Sequence, residues 1–196
     1  MLTWYRARFA AFLIMVSLSL VVPLLTVYSG SKKQENIRHR IAAHVRNGNE
    51  DLETRHLNEI SSVLYATSRE YGIDYRLILA LMKVESNFQH DAVSPMGARG
   101  LLQVKPSFAK FVAQDIGIKW DGDQTVDDPG NNIRIGVRVL SELVHRFYDV
   151  TIALRAYNMG PGRTRAMTPE KMNSPRGFPG LVLREYHKNI LILPDP

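Results

Sequence analysis

Apolar residues recur at helical spacing between residues 57 and 190, and residues that begin or end helices interrupt this pattern. The first apolar face ends at Gly72, and glycine commonly follows the last turn of a helix. Asp74 is a typical N-cap for the helix that follows. The apolar positions of these two predicted helices are Leu57, Ile60, Leu64 and Tyr71, and then Leu77, Ile78, Leu81, Met82 and Val84.

Proline and glycine mark the next two predicted helices. Pro106 opens a helix that Gly117 closes, and a Gly- and Ser-containing loop precedes it over about residues 88–104. Asp128-Pro129 opens the longest helix of the chain. The apolar residues of these helices are Phe108, Phe111 and Val112, and then Ile133, Val137, Leu140, Val144 and Phe147.

The C-terminal part of the chain continues in the same way. A helix is predicted over about residues 150–157, and a loop with three prolines over residues 168–180. A last helix carries Leu183, Tyr186 and Ile190. No segment alternates apolar and polar residues convincingly, so we predict a mainly α fold.

Residues 1–30 have the pattern of an export signal. Two arginines precede an uncharged, mostly apolar run over residues 9–28, and about 20 such residues suffice to span a bilayer as a helix. The length favours an uncleaved anchor over a cleaved signal peptide, although Val27 and Ser29 form a weak cleavage site. Basic residues flank the run on both sides, so charge does not settle its orientation.

Charge and composition narrow the function of the rest. We predict a linker or loosely packed helix over residues 31–56 and the functional domain over residues 57–196. Residues 1–56 hold 8 Lys and Arg against 4 Asp and Glu, whereas residues 57–196 hold 17 against 15. The domain is therefore nearly neutral, which disfavours a nucleic-acid partner. The chain has no cysteine and its histidines lack metal-ligand spacing, so we predict neither a disulfide nor a metal site.

Glu85 is the most unusual residue of the predicted helices. It follows Ile78 by seven residues and Leu81 by four, so it lies on the apolar side of its own helix. Burial disfavours a carboxylate and raises its pKa, which suits a general acid. From periodicity alone, a surface glutamate that pairs with a lysine or arginine is the better interpretation.

Three motifs in order change that interpretation. The segments are Glu85-Ser86-Asn87-Phe88, then Ser94-Pro95-Met96-Gly97-Ala98 with Gly100-Leu101-Leu102-Gln103-Val104, and then Ala156-Tyr157-Asn158-Met159-Gly160-Pro161-Gly162. Together they resemble the soluble lytic transglycosylase catalytic domain, a relative of goose-type lysozyme. The resemblance covers about residues 60–191 and implies a lysozyme-like helical domain.

The resemblance also implies roles for single residues. Glu85 matches the family's one catalytic acid, and Ser94 a polar residue beside the N-acetyl group of the sugar. Gln103 matches a side chain of the glycan groove. Tyr157 and Asn158 match the aromatic and amide groups that pack around the acid. Tyr186 resembles a tyrosine whose hydroxyl reaches the acid.

Simpler roles remain open for these residues. Ser94 could start a turn before Pro95, Gln103 could stabilise its loop, and the two tyrosines could be core aromatics. The chain also departs from the family pattern, which often has methionine at the positions of Leu102 and Lys105. A cation at position 105 alters a sugar contact or meets a carboxylate of the substrate.

The implied activity is that of a lyase on peptidoglycan, cleaving between N-acetylmuramic acid and N-acetylglucosamine. The implied product is 1,6-anhydromuramic acid, and the implied reaction needs no water, metal or cofactor. The expected partners are peptidoglycan strands, the inner membrane through residues 1–30, and further envelope proteins; the expected location is the periplasm. Two alternatives are a hydrolysing muramidase that uses an acid such as Asp91, and an inactive glycan-binding scaffold module.

Overall fold

The computed structural model describes residues 30–196. Over these residues the chain is mainly helical and contains no β-strand. The predicted mainly α fold is therefore confirmed. We number residues 30–48 as helix α1. The helices that follow are α2 (Thr54–Tyr71), α3 (Tyr75–Ser86), α4 (Pro106–Asp115), α5 (Pro129–Phe147), α6 (Val150–Met159), α7 (Pro161–Arg165), α8 (Pro169–Asn173) and α9 (Phe178–Ile192).

Several helix ends lie where the sequence predicts them. Gly72 follows α2 in the left-handed conformation, with φ of 64°. The Asp74 carboxylate accepts a hydrogen bond of 2.8 Å from the Arg76 amide at the start of α3. Asp128 caps α5 in the same way, with 2.7 Å to the Asn131 amide.

Two predicted boundaries differ from the structure. The predicted loop over residues 168–180 contains α8, a short helix that begins at Pro169 and buries none of its residues. The compact unit runs from Arg38 to Pro196. It therefore includes residues 38–48 of α1, which precede the predicted domain start at residue 57. Ile41 and Val45 are fully buried there, four residues apart on one face of α1.

Residues 1–29 lie outside the described residues, and with them almost all of the predicted export signal. Within residues 30–196, no helix has the length and apolar character that crossing a bilayer requires.

Helix α3 contributes most of its residues to the core of the domain. Helix α3 packs against α9, and α5 packs against both α2 and α6. Ile78, Leu79 and Met82 of α3 are fully buried. At the end of α3 the chain turns through Asn87 and Phe88, both with positive φ. After this turn the loop passes along α5 and α6, to which it is hydrogen-bonded at Leu102.

The segment after α1 supports this turn. The Asn49 side-chain amide donates a hydrogen bond of 3.1 Å to the Phe88 carbonyl oxygen. The Phe88 ring is 1% exposed and meets the His44 ring edge to face, with 5.8 Å between centroids. Residues of the predicted linker thus fix the position of Phe88, which lies three residues after Glu85.

Candidate active site

Two side-chain hydrogen bonds connect the three sequence motifs beside Glu85. The Ser86 hydroxyl donates to the Leu101 carbonyl oxygen at 2.9 Å. The Tyr157 hydroxyl donates to the Leu102 carbonyl oxygen, also at 2.9 Å. Because α3 and α6 each bind one of these two adjacent carbonyls, the loop between α3 and α4 is fixed against the end of α3. Segments far apart in sequence therefore meet at one site.

Asn132 holds the same loop from the side of α5. Its side-chain oxygen accepts a hydrogen bond of 2.8 Å from the Leu102 amide. Its side-chain nitrogen donates to the Arg99 and Val126 carbonyl oxygens, each at 2.9 Å. The residue is fully buried, so these three bonds form away from water.

Asn132 lies outside the three sequence motifs and was not among the predicted site residues. It lies four residues before Gly136 and one before Ile133, on the buried side of α5. An amide on the apolar face of a helix is the signal that could have identified it, because buried polar groups need partners.

Two glycines allow the loop to approach α5 and α6 closely. A Cβ at Gly136 would overlap the Leu102 side chain and come within 3.0 Å of the Tyr157 hydroxyl oxygen. Gly100 has φ of 74°, and a Cβ there would overlap the Asn132 amide. Larger residues at either position would displace the loop from Glu85.

The Glu85 carboxyl is partly buried, and it forms neither a hydrogen bond nor an ion pair with any residue that the structure describes. Burial raises its pKa from 4.5 to about 7. The pKa of Tyr157 is also raised, first by burial and then by the negative charge of Glu85. A carboxyl with a pKa near 7 carries its proton on about half of the molecules at neutral pH, as a general acid requires.

This raised pKa predicts how stability depends on pH. The folded state binds the Glu85 proton more tightly than the unfolded state, so this group lowers stability as pH rises from 4.5 through 7. The Glu85→Gln variant lacks the effect. Its free energy of unfolding, measured by urea denaturation, is expected to exceed that of the wild type by a margin that grows over this window. The margin should level off above pH 7 at about 3 kcal/mol. Two pH profiles that run parallel would contradict a buried, unpaired carboxyl.

Ser94 and Gln103 both stabilise the loop, as the simpler interpretation of each predicts. The Ser94 hydroxyl oxygen accepts a hydrogen bond of 3.0 Å from the Ala98 amide. Gln103 has φ of 46°, and its side-chain nitrogen donates to the Ala92 and Gly100 carbonyls at 3.1 and 3.0 Å. Within residues 30–196, the Ser94 hydroxyl proton and the Gln103 side-chain oxygen make no hydrogen bond.

Asn158 lies at the exposed end of α6, and its side chain makes no hydrogen bond to the rest of residues 30–196. Its polar groups are therefore open to solvent or a ligand. Tyr157, one residue earlier, is the part of this motif that interacts with Glu85.

The prediction that the Tyr186 hydroxyl reaches the acid is wrong. This hydroxyl donates to the Asp74 carboxylate at 2.9 Å. Asp74 precedes α3, whereas Glu85 lies at its other end, roughly 16 Å away at 1.5 Å per residue. The Asn189 side chain, near the end of α9, likewise donates a hydrogen bond of 2.9 Å to the Arg76 carbonyl oxygen at the start of α3. The last part of α9 is therefore level with the start of α3.

The second acid that the muramidase alternative needs is exposed. The Asp91 side chain has 84% of its surface exposed, and the His90 Nδ1 atom lies 3.6 Å from its carboxylate. Within residues 30–196, no group of three or more His, Asp or Glu side chains could hold a metal ion. Glu85 is thus the partly buried carboxyl at the junction of the three motifs.

Comparison with known proteins relates this chain to transglycosylases by sequence. Residues 62–176 match the family described as Transglycosylase SLT domain. A transglycosylase from Enterobacteria phage PRD1 is 32% identical over 128 residues, which cover 65% of this chain and 42% of that protein. The membrane-bound lytic murein transglycosylase F from Desulfosudis oleivorans is 31% identical, over 60% of this chain and 28% of that protein. This chain thus spans less than half the length of these relatives.

Solved structures have the same fold. An inactive mutant of the lytic transglycosylase Slt from Pseudomonas aeruginosa superposes with a TM-score of 0.60 at 27% identity, over 68% of this chain and 25% of that one. The 70 kDa soluble lytic transglycosylase from Escherichia coli gives a TM-score of 0.57 at 19% identity, over 79% of this chain and 30% of that one.

Proposed function

Because the chain belongs to the transglycosylase SLT domain family, we propose that it is a peptidoglycan lytic transglycosylase. The proposed reaction cleaves the β-1,4 bond between N-acetylmuramic acid and N-acetylglucosamine and leaves a 1,6-anhydromuramic acid end. The observation that carries the proposal is the partly buried Glu85 carboxyl, with its raised pKa, at the junction of the three motifs.

In the proposed mechanism Glu85 acts twice. Its carboxyl first gives a proton to the glycosidic oxygen, so the bond from that oxygen to C1 breaks. The neighbouring N-acetyl group stabilises the developing positive charge at C1. The C6 hydroxyl oxygen of the same muramic residue then bonds to C1, and its proton returns to the Glu85 carboxylate. The enzyme therefore ends the cycle protonated, and no water is consumed.

The loop and α6 provide the groups that we propose for glycan binding. The loop contributes Ser94 and Gln103, and α6 contributes Tyr157 and Asn158. Hydrogen bonds within the loop and from Tyr157 to the loop bring these two motifs together. The exposed Asn158 amide and the unused Gln103 oxygen suit the hydroxyl and N-acetyl groups of a sugar. Tyr157 fixes the loop and shields Glu85, so its role in binding is chiefly to shape the groove.

Activity is tested directly by incubating purified peptidoglycan with the protein and measuring the release of soluble fragments. We expect release by the wild-type protein without added metal or cofactor. A wild-type protein that binds peptidoglycan but releases nothing would support the inactive scaffold module instead.

Replacement of Asp91 by asparagine is expected to change the rate of fragment release by less than about twofold. Its carboxyl is 84% exposed beside the His90 ring, so it is not placed to activate a water molecule on the sugar. Loss of release in this variant, with wild-type stability, would favour the hydrolysing muramidase.

The substrate places the domain outside the cytoplasm. We propose that residues 1–30 direct it across the inner membrane, either as an uncleaved anchor or as a cleaved signal, and that residues 57–196 act in the periplasm. A reporter fused after Pro196 that requires the periplasm is expected to be active. A fusion that is active only with a cytoplasmic reporter would contradict this topology.

A further inference from the structure

A surface pocket of about 390 Å³ lies beside the loop that carries the proposed glycan-binding residues. Two of its residues, Met96 and Lys105, come two positions after Ser94 and Gln103. Glu85 and Tyr157 do not line it. Its lining consists of Met96, Gly97, Lys105, Pro106, Ser107, Lys110, Trp120 and Asp123.

The charge of this pocket is mainly positive. Lys105 immediately precedes α4 and Lys110 lies in its middle, and both side chains are exposed. Neither ammonium group forms an ion pair or hydrogen bond with any other residue in the range 30–196 that the structure describes. Asp123 is the one carboxylate of the lining. The pocket therefore suits a ligand that has more carboxylates than amino groups.

The rest of the lining suits a short chain of mixed polarity. Trp120 is partly buried, and Met96 is 76% exposed, so both offer apolar surface to a ligand. The Ser107 hydroxyl and the Trp120 indole N–H provide further polar groups. Two cations, an indole and a flexible thioether match a peptide with acidic side chains better than they match a neutral sugar.

We propose that this pocket binds the carboxylate-bearing peptide stem of the substrate. The inference rests on the proposed function, because the muramic residue that would occupy the site beside Glu85 carries the peptide on its lactyl group. Lys105 and Lys110 bind carboxylates of the stem, and Trp120 contacts its aliphatic part. The pocket thus makes the enzyme specific for peptide-bearing strands over strands that have lost their peptides.

The test compares kcat/KM for two substrates that differ only in the stem. One is uncross-linked peptidoglycan strands with their peptides, and the other is the same strands after an amidase has removed them. We expect the wild-type protein to prefer the peptide-bearing strands. In a Lys105→Met, Lys110→Met double variant this preference should fall by about threefold to tenfold, chiefly through KM, because exposed ion pairs contribute modestly to binding.

Lys119→Met is the matched control. It removes one positive charge beside Trp120, but Lys119 pairs with Asp121 at 2.9 Å and does not line the pocket. Its preference should equal that of the wild type. A double variant that is folded and keeps the full preference would overturn the inference, as would a wild-type protein that cleaves both substrates equally well. A wild-type protein that cleaves neither substrate would instead overturn the proposed function.

Discussion

Replacement of Glu85 by glutamine is expected to slow the release of fragments from peptidoglycan by about 10²–10⁴-fold, the usual contribution of a general acid. Glutamine has nearly the same volume as glutamic acid but has no proton to give to the glycosidic oxygen. The side chain makes no hydrogen bond or ion pair within residues 30–196, so the substitution breaks no such contact there. We therefore expect a folded protein whose melting temperature at pH 7 equals or exceeds that of the wild type.

The control for this substitution is Glu50→Gln. Glu50 is exposed in the turn between α1 and α2, so the same chemical change there should leave both activity and stability unchanged. A Glu85→Gln protein that retains near-normal turnover on peptidoglycan would remove Glu85 from the mechanism. Loss of activity in the Glu50 control would instead indicate a general effect of charge.

Replacement of Asn132 by alanine should have the second largest effect. The Asn132 side chain is fully buried, and its removal leaves three backbone groups without this hydrogen-bond partner: the Leu102 amide and the Arg99 and Val126 carbonyl oxygens. Each buried group that loses its hydrogen bond costs about 1–3 kcal/mol, so we expect a loss of roughly 3 kcal/mol or more in the free energy of unfolding.

Activity should fall further than this loss of stability explains. The loop between α3 and α4 carries Ser94 and Gln103, and Asn132 fixes its position relative to Glu85. A displacement of about 1 Å in an active site can reduce the rate by roughly 10²-fold. We expect kcat/KM to fall by about that factor at a temperature where the variant remains folded, as checked by circular dichroism.

Asn131→Ala is the matched control, because Asn131 is the neighbouring residue of α5 and its side chain makes no hydrogen bond among the residues that the structure describes. This control should keep both stability and activity. An Asn132→Ala protein that is destabilised but fully active at low temperature would show that Asn132 stabilises the fold without positioning the loop.

The fold was largely predictable because helix ends in this chain are marked by local signals. Asp74 and Asp128 cap α3 and α5 through hydrogen bonds that depend on only a few neighbouring residues. The packing of α1 was not predictable in this way. Ile41 and Val45 are two apolar residues in a segment rich in charges, and only the tertiary structure shows that both are fully buried.

The site was predictable as a set of motifs but not as a geometry. Periodicity places Glu85 on the apolar side of α3, but on its own it favours a surface glutamate, and the three motifs were needed to identify Glu85 as the candidate acid. The partner of Tyr186 depends on how α9 lies along α3. Periodicity identifies the face of a helix but not the end of the neighbouring helix that this face meets. For the same reason the sequence did not reveal that Asn132 joins α5 to the loop.

In the proposed mechanism Glu85 acts with the C6 hydroxyl of the substrate in place of water. Mass spectrometry of the fragments that the wild-type protein releases from purified peptidoglycan distinguishes the two reactions. We expect fragments that end in 1,6-anhydromuramic acid, cannot be reduced by borohydride, and weigh one water molecule less than the products of hydrolysis. Exclusively reducible fragments of full mass would contradict this mechanism.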